Sequence, residues 1–490
     1  MNDVTTTTDR RLAAGCLLGS FVGTQAPPWL LRSVGDGLGG VLLFAQNVVD
    51  DVQVTDLCAQ LRTARADVVI AIDEEGGDVT RLDAARGSDT PCPAAFGFVD
   101  DVRLTADAYA ALGERVRSLG IDLTLAPCAD INSNPRNPII GVRSFGITPD
   151  GVSRHVVAAV EGFHSGGLSV CAKHFPGHGD TSADTHIGPA LLTASMATLV
   201  KRELVPFAAA IEAGVDSILT AHVVADAVDD APVSVSRFWS EHLRAMGFDG
   251  AIITDALDMD AVAEGRGIAG VADAAVRALA AGADFLCLGS NFDDSMTNTV
   301  IDRVVAAIDD GQLDRSQLER SLGRIALLRR LSPSHTSPTT FDPAAAQRVA
   351  EQAIVVDGRL PAGPFAVLEC RPPGSMACFN VTWGIADALG ERGWPTASIT
   401  ASDPIAESCT KLLDAAGEMP ILVVVRDACV HTWQTAVIET VVDAQPVAVV
   451  VVELGWPSTR PAGSAAFVVS HGAARCGAQA VIDRLVSKEP

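Results

Sequence analysis

Positive charge is scarce in this chain: 36 Lys and Arg stand against 60 Asp and Glu among 490 residues, a formal net charge of −24. A surface of that sign repels nucleic acid and anionic membranes, so neither is expected as a partner. The acids are spread along the chain with no acidic tail, which reads as solubility. No run reaches about 18 uninterrupted apolar residues, so no membrane span is expected. The 11 cysteines contain no C-x-x-C pair, which argues against a structural zinc site. Their number is odd, and Cys128, Cys171 and Cys287 sit inside apolar runs. Buried free thiols in a reducing, cytoplasmic compartment explain that best. The start, MNDVTTTTDRR and then LAAGCLLGSFVG, has a short, Gly-interrupted apolar run and no convincing cleavage site. "LAAGC" looks like a lipoprotein cleavage box, but no apolar region precedes it, and the segment reads as a first amphipathic helix. G-x-x-x-x-G-K, G-x-S-x-G and H-E-x-x-H are also missing. GDGLGG (35–40) fits G-x-G-x-x-G, but it precedes the apolar run VLLF instead of following one, the wrong order for a dinucleotide site.

What the chain does have is recurring short apolar runs separated by helical patterns. They read GGVLLF (39–44), DVVIAID (67–73), IDLTLAPCAD (121–130), SVCAKHF (169–175), DSILTAH (216–222), GAIITD (250–255) and ADFLCLG (283–289). They are continuous in Val, Ile and Leu, as strands covered on both faces are. LTADAYAALGERVRSLG (104–120) and MATLVKRELVPFAAAIEAG (196–214) lie between them as helices. Seven such strands over some 300 residues predict a (β/α)8 TIM-type barrel, with an eighth strand inferred from closure and an open doubly wound sheet as the other architecture. SPSHTSPTTFDP (332–343) changes character and reads as a linker. FAVLEC (365–370), ILVVVRDA (421–428), VAVVVVEL (447–454) and FVVSHG (467–472), with the helix HTWQTAVIETVVDA (431–444), predict a smaller, sandwich-like α/β domain. The expected division is a barrel over 1–331, a linker over 332–348 and a C-terminal domain over 349–490, the last with no catalytic pattern.

The apolar runs stop at Asp73, Asp130, His174, His222 and Asp255. Any strand ends in something polar, but five acid–base residue types at the rim where barrel enzymes place their chemistry predict an active site there. The segment KHFPGHGDTSADTH (173–186) is the densest in such groups. His174 and His178 are four apart, but Pro176 and Gly177 between them argue against the helix that would present both to a metal, and no metal or other cofactor is expected. Asp184 and His186 are two apart and can meet in a turn, where the carboxylate orients the imidazole and raises its basicity. For His178, bracing the backbone is as good a reading as a direct role. Asp255 suits a nucleophile or a helix N-cap, and Asp258 and Asp260 suit caps.

These residues bring a family into view. KHFPGHGDTSADTH, with AIDEEGGDVTRL (71–82), NPRNPIIGVRSFG (134–146), LTAHV (219–223) and IITDALDM (252–259), resembles glycoside hydrolase family 3, in its β-N-acetylglucosaminidase branch. The resemblance covers about the first 330 residues. It implies that Asp255 is a nucleophile forming a glycosyl-enzyme intermediate, that His186 is the acid/base and that Asp184 is its partner. It implies that Asp73, Arg143, Lys173 and His174 hold the sugar hydroxyls. The implied activity is retaining, exo-acting hydrolysis of terminal β-linked N-acetylglucosamine from peptidoglycan- or chitin-derived saccharides. A phosphorylase, with phosphate replacing water, is the alternative outcome of the same chemistry. A non-catalytic sugar-binding barrel could dispense with the nucleophile or the dyad, which this chain keeps. Two departures stand out: Val142 occupies the place of an acidic residue expected before Arg143, and THIGPALL lacks the usual Leu-Pro.

Overall fold

The computed structural model describes residues 2–183, 190–329, 342, 344–374, 377–378, 381–444 and 448–487. Eight parallel strands close into a barrel in chain order: β1 (Leu17–Gly19), β2 (Gly40–Leu43), β3 (Val69–Ile72), β4 (Leu123–Thr124), β5 (Ser169–Phe175), β6 (Ser217–Thr220), β7 (Ala251–Thr254) and β8 (Phe285–Cys287). β1 pairs with both β2 and β8, which shuts the ring. The seven expected strands are all present. The eighth is β1, inside the segment read as part of an amphipathic helix: the helix Asn2–Gly15 ends and three residues of strand follow. Such a short strand beside a glycine leaves no run for a pattern to catch.

The continuous apolar strands hide an alternation. Val41, Leu43, Ile70, Ile72, Val170, Ile218 and Ile252 pack outward under the helices. Leu42, Val69, Ala71, Cys171, Leu219, Ala251 and Ile253 fill the lumen, together with Ile325 and Leu328 from the C-terminal end of the barrel segment. Both sets are buried, so composition alone shows no period of two. The lumen is a packed core, and space opens only where its inward positions turn polar.

The helix expected over 196–214 is two, Met196–Lys201 and Val205–Glu212. Pro206 sits in the first turn of the second, where its missing N–H costs nothing, while within a continuous helix it would break a hydrogen bond.

The second sheet has six strands: β9 (Val355–Gly358), β10 (Ala366–Cys370), β11 (Thr396–Ile399), β12 (Ile421–Val425), β13 (Val449–Glu453) and β14 (Ala466–Val469), in the order β11-β10-β12-β13-β14-β9. All neighbours are parallel except β14 and β9. Val450 and Val452 face a core that includes the helix Arg475–Val486, while Val449 and Val451 face the helices Ile405–Ala416 and Thr432–Ala444. This is an α/β sandwich, as expected, with two strands that the sequence reading did not find. The span expected as a linker ends in a helix, Ala345–Gln352, whose Ala345 and Val349 are buried in the barrel's outer core.

The two layers meet near the loop after β3. Asp78 accepts from Arg426 Nη2 at 2.8 Å and from the Ala473 N–H at 2.9 Å, and the Thr382 N–H donates to the Ala84 carbonyl at 2.8 Å.

Candidate active site

At the C-terminal ends of the barrel strands lies a cavity of about 710 Å3, its open mouth included. Its apolar floor is Leu42, Leu125, Leu219 and Cys287, inward residues of the lumen. Its polar walls are Asp73, Glu75, Arg81, Arg143, Lys173, His174, His178 and Asp255.

Strand register explains three of these. Val69 and Ala71 point inward on β3, and the next inward position is Asp73; Ala251 and Ile253 lead in the same way to Asp255, and Cys171 leads to Lys173. A regular strand would send His174 to the other face. The pairing of β5 with β6 shifts between Ala172 and Phe175, and this irregularity turns His174 onto the same wall as Lys173.

The charged side chains form one chain of contacts. Lys173 Nζ lies 2.5 Å from Asp73 and 2.6 Å from Glu75. Arg143 forks onto both oxygens of Glu75, at 2.7 and 3.0 Å, and its Nη2 is 3.1 Å from His174 Nε2. Arg81 pairs with Asp73 at 3.2 Å and donates to the Ala377 carbonyl at 2.9 Å, so a residue from beyond the barrel reaches the cavity wall. A guanidinium only donates, so His174 Nε2 accepts and its Nδ1–H is left for Asp130 at 2.7 Å. The other Asp130 oxygen accepts the His178 N–H at 2.6 Å.

Burial alone would raise these carboxyls, but the cations outweigh it. Lys173 and Arg81 hold Asp73 below its ordinary value, and Arg143 and Lys173 hold Glu75 at about 2. Burial would lower Lys173, but Asp73 and Glu75 raise it. The network therefore stays ionised across the whole neutral range and presents fixed charges to whatever enters.

Asp255 is half-buried on the opposite side, with Oδ1 accepting the Ala256 N–H at 2.8 Å. His222 stands behind it: the ring meets the Ala256 carbonyl at 2.9 Å and Ser234 Oγ at 2.6 Å, which fixes the peptide that follows Asp255. Of the five polar strand ends, Asp73, His174 and Asp255 thus line the cavity, while Asp130 and His222 support it from behind. Asp184 and His186 lie outside the described residues. The stem before them is tied down by Asn137, whose Nδ2 donates to the carbonyls of His178 and Thr181 at 2.8 and 3.0 Å. Asp258 and Asp260 are not the expected helix caps: the short helix Asp260–Ala263 has Met259 at its N-cap, and Asp260 is in the first turn.

Arg143 is paired with Glu75 from the loop after β3, and the position before it, where the resemblance led to an acidic residue being expected, is Val142. Val142 is buried with Cys92, Ala94, Trp456 and Cys476, a setting in which a carboxylate would be unpaired. Sequence reasoning missed Glu75, Arg81 and Ala377 as wall residues. The signal for Glu75 was three acids in succession at the end of a buried strand, DEE, directly before two glycines.

Cys128, Asp130 and His174 also converge closely enough to suggest a metal site. Their donors do not fit one. Burial raises the Cys128 thiol far above its ordinary value, and the thiol, 3.1 Å away, shares Asp130 Oδ2 with His174 Nδ1–H. The remaining Asp130 oxygen is taken by the His178 N–H.

Residues 33–328 match the model of the glycosyl hydrolase family 3 N terminal domain. Beta-hexosaminidase A of Pseudoalteromonas piscicida is 30% identical over 399 residues, 73% of this chain and 66% of that relative's own length. A beta-hexosaminidase of Xylella fastidiosa is 35% identical over 274 residues, 54% of this chain and 79% of the relative. A family 3 beta-N-acetylglucosaminidase from Paenibacillus sp. superposes with a TM-score of 0.84 at 28% identity, covering 98% of this chain and 97% of the other. NagZ from Neisseria gonorrhoeae, solved with N-trifluoroacetyl-D-glucosamine, gives a TM-score of 0.59 at 26% identity, covering 69% of this chain and 98% of the other. With a closed barrel, a charged rim cavity and a family match over most of the barrel, the chain belongs to glycosyl hydrolase family 3, a family of glycosidases.

Proposed function

We propose that the chain is a retaining, exo-acting β-N-acetylglucosaminidase that removes terminal β-linked N-acetylglucosamine from peptidoglycan- or chitin-derived saccharides. The observation that carries this reading is the cavity itself: Asp255 faces it from β7, while Asp73 and Lys173 face it from β3 and β5 with their charges already fixed. A nucleophile on one wall and ion-paired hydroxyl binders on the other suit a sugar ring held between them.

In this mechanism the Asp255 carboxylate attacks the anomeric carbon as the glycosidic bond breaks, and the leaving oxygen takes a proton from His186. Water then attacks the same carbon, gives its proton to His186 and releases Asp255, so the sugar keeps its β configuration. Asp184 orients His186. Asp73, Arg143, Lys173 and His174 hold the hydroxyls of the bound sugar. Residues 1–331 act as the catalytic barrel and 349–490 as a separate domain joined through 332–348. The relatives named as beta-hexosaminidases support the sugar, and eleven free thiols support a reducing, cytoplasmic setting.

The test is to trap the enzyme with a 2-deoxy-2-fluoro glycoside and find the labelled peptide, and to follow 4-nitrophenyl N-acetyl-β-glucosaminide by NMR with and without phosphate. Label on Asp255 and a β-configured free sugar are expected. An α product or label elsewhere overturns the nucleophile, and a sugar 1-phosphate as main product overturns hydrolysis.

A further inference from the structure

His178 lines the cavity, is only 2% exposed, and among the described residues its Nε2 has no hydrogen-bond partner. A buried polar atom without a partner destabilises the fold, a cost tolerated where a ligand supplies the missing bond. The rest of the residue is fully engaged. Its N–H donates to Asp130 at 2.6 Å, its carbonyl accepts from Asn137 Nδ2 at 2.8 Å and from Thr181 Oγ1 at 2.9 Å, and its Nδ1 meets Thr181 Oγ1 at 2.7 Å. The ring stands edge-on to His174, centroids 6.0 Å apart. Backbone and ring are thus held from three sides, and the one unpartnered nitrogen belongs to a ring that lines the cavity.

The contacts accommodate the tautomer protonated at Nδ1. With the single hydrogen of the Thr181 hydroxyl on the His178 carbonyl, 2.9 Å away, its oxygen accepts the His178 Nδ1–H at 2.7 Å. In that arrangement Nε2 is a bare acceptor. Burial, and then the nearby His174, push the ring down to about 4, so no second proton arrives at neutral pH. Among the other acceptors on the walls, Asp73 and Glu75 are carboxylates already bound to cations, and His174 Nε2 is taken by Arg143. An uncharged, preformed acceptor matches a donor that carries no charge itself, as a sugar's ring hydroxyls are.

We propose that His178 Nε2 accepts a hydrogen bond from one ring hydroxyl of the bound substrate, so that this residue is a binding and specificity determinant as well as a brace for its loop. The inference rests on the proposed glycosidase reading.

The experiment compares wild type and His178→Phe on 4-nitrophenyl N-acetyl-β-glucosaminide and its 3-, 4- and 6-deoxy analogues. Wild type is expected to lose about 10- to 100-fold in kcat/KM on one deoxy analogue. His178→Phe should lose a similar factor on the parent and little more on that analogue. Losses that multiply on all three analogues overturn the proposal. Because the Phe ring also drops the bond to Thr181, a second measurement uses the unaltered enzyme. Nitrogen-15 spectra of the histidines, with N-acetylglucosamine as probe, should show an unprotonated His178 Nε2 that moves toward hydrogen-bonded values as the sugar binds. A protonated Nε2 in the free enzyme, or no movement at saturating sugar, overturns it. If wild type fails to turn over the parent glycoside, the glycosidase reading falls and this inference falls with it; turnover without coupling removes the inference alone.

Discussion

At the rim of the barrel, carboxylates just after β3 meet cations from β5, from the turn Gly141–Arg143 and from their own loop: Glu75 holds Arg143 and Lys173, and Asp73 holds Lys173 and Arg81. At the same ends of the second sheet, buried carboxylates meet backbone. Glu369 on β10 accepts the N–H groups of Ile385 and Ala386, at 2.7 and 3.0 Å, with Arg371 on its other oxygen. Glu453, the last residue of β13, accepts those of Asp427, Ala428 and Gly455 at 2.7–3.2 Å. All four are acids at or just past the C-terminal end of a strand, and all but Asp73 are fully buried. The use differs because the barrel brings several strand ends around one space, whereas an open sheet lays them in a row, where each acid tethers its own loops. Adjacent residues in the barrel show both uses. Glu74 accepts the N–H groups of Arg81 and Leu82 and is pushed up to about 7 by burial, while Glu75 is held at about 2 by its cations despite burial. A strand-end acid is therefore read by its partners and not by its depth.

The sharpest break in this comparison is Asp255→Ala, which removes the one cavity carboxylate assigned to bond making. Activity on 4-nitrophenyl N-acetyl-β-glucosaminide should fall on the order of 10^3-fold or more with an unchanged melting temperature, while His186→Ala is partly spared because this leaving group needs little protonation. Equal losses in both would count against the division of roles.

Lys173→Met attacks the network. It leaves Asp73 and Glu75 with one cation fewer in a buried site, so thermal or denaturant unfolding should show a loss of about 3–5 kcal/mol together with loss of activity. Glu453→Gln in the second sheet strands one N–H at most, and should cost about 1–3 kcal/mol while kcat/KM stays at the wild-type value. A drop in kcat/KM for Glu453→Gln would merge the two classes.

The two classes also titrate in opposite senses. Burial raises Glu74 from 4.5 to about 7 and Glu453 from 4.5 to about 8, so each binds its proton more tightly when folded. Their stabilisation is complete below the unfolded value and is lost as pH rises through about 7 and 8. Asp73 and Glu75 are lowered, so their stabilisation is present above the unfolded values and lost as pH falls through the folded ones. Melting temperature should thus decline on both sides of mildly acidic pH, and Glu453→Gln should flatten the alkaline side only.

The smallest effect is expected from Cys128→Ala, which removes one donor from Asp130 and leaves His174 in place. Activity should stay within a few-fold of wild type, and a chelator should not lower it; chelator-sensitive activity would reopen the metal reading for Cys128, Asp130 and His174.

Much of the barrel was legible because its strands, even the two-residue β4 and three-residue β8, sit within longer apolar runs. β1, β9 and β11 were not: β1 follows directly on a helix in one apolar stretch, and β9 and β11 are edge strands with mixed exposure, so no separate run marks them. The helix Ala345–Gln352 was hidden by the Ser, Thr and Pro that precede it. At the site, Asp73, His174 and Asp255 were legible as polar residues ending apolar runs, Lys173 only through the family resemblance, and all four line the cavity. Arg143, which the family resemblance supplied, also lines it, and its partner Glu75 was not foreseen.

The sequence alone determined where each strand stops and which acid, base or cation stands there, because burial on both faces forces the run and only its end can be polar. It also set the local turn of glycines and Pro176 after β5. Only the tertiary structure decided which charges pair, that Glu75 and not a neighbour serves Arg143, that a residue from beyond the barrel caps Arg81, and that His178 keeps one nitrogen unspent. Those facts depend on distances across a closed ring, and residues 68 and 100 positions apart along the chain become hydrogen-bonded neighbours only when the ring is shut.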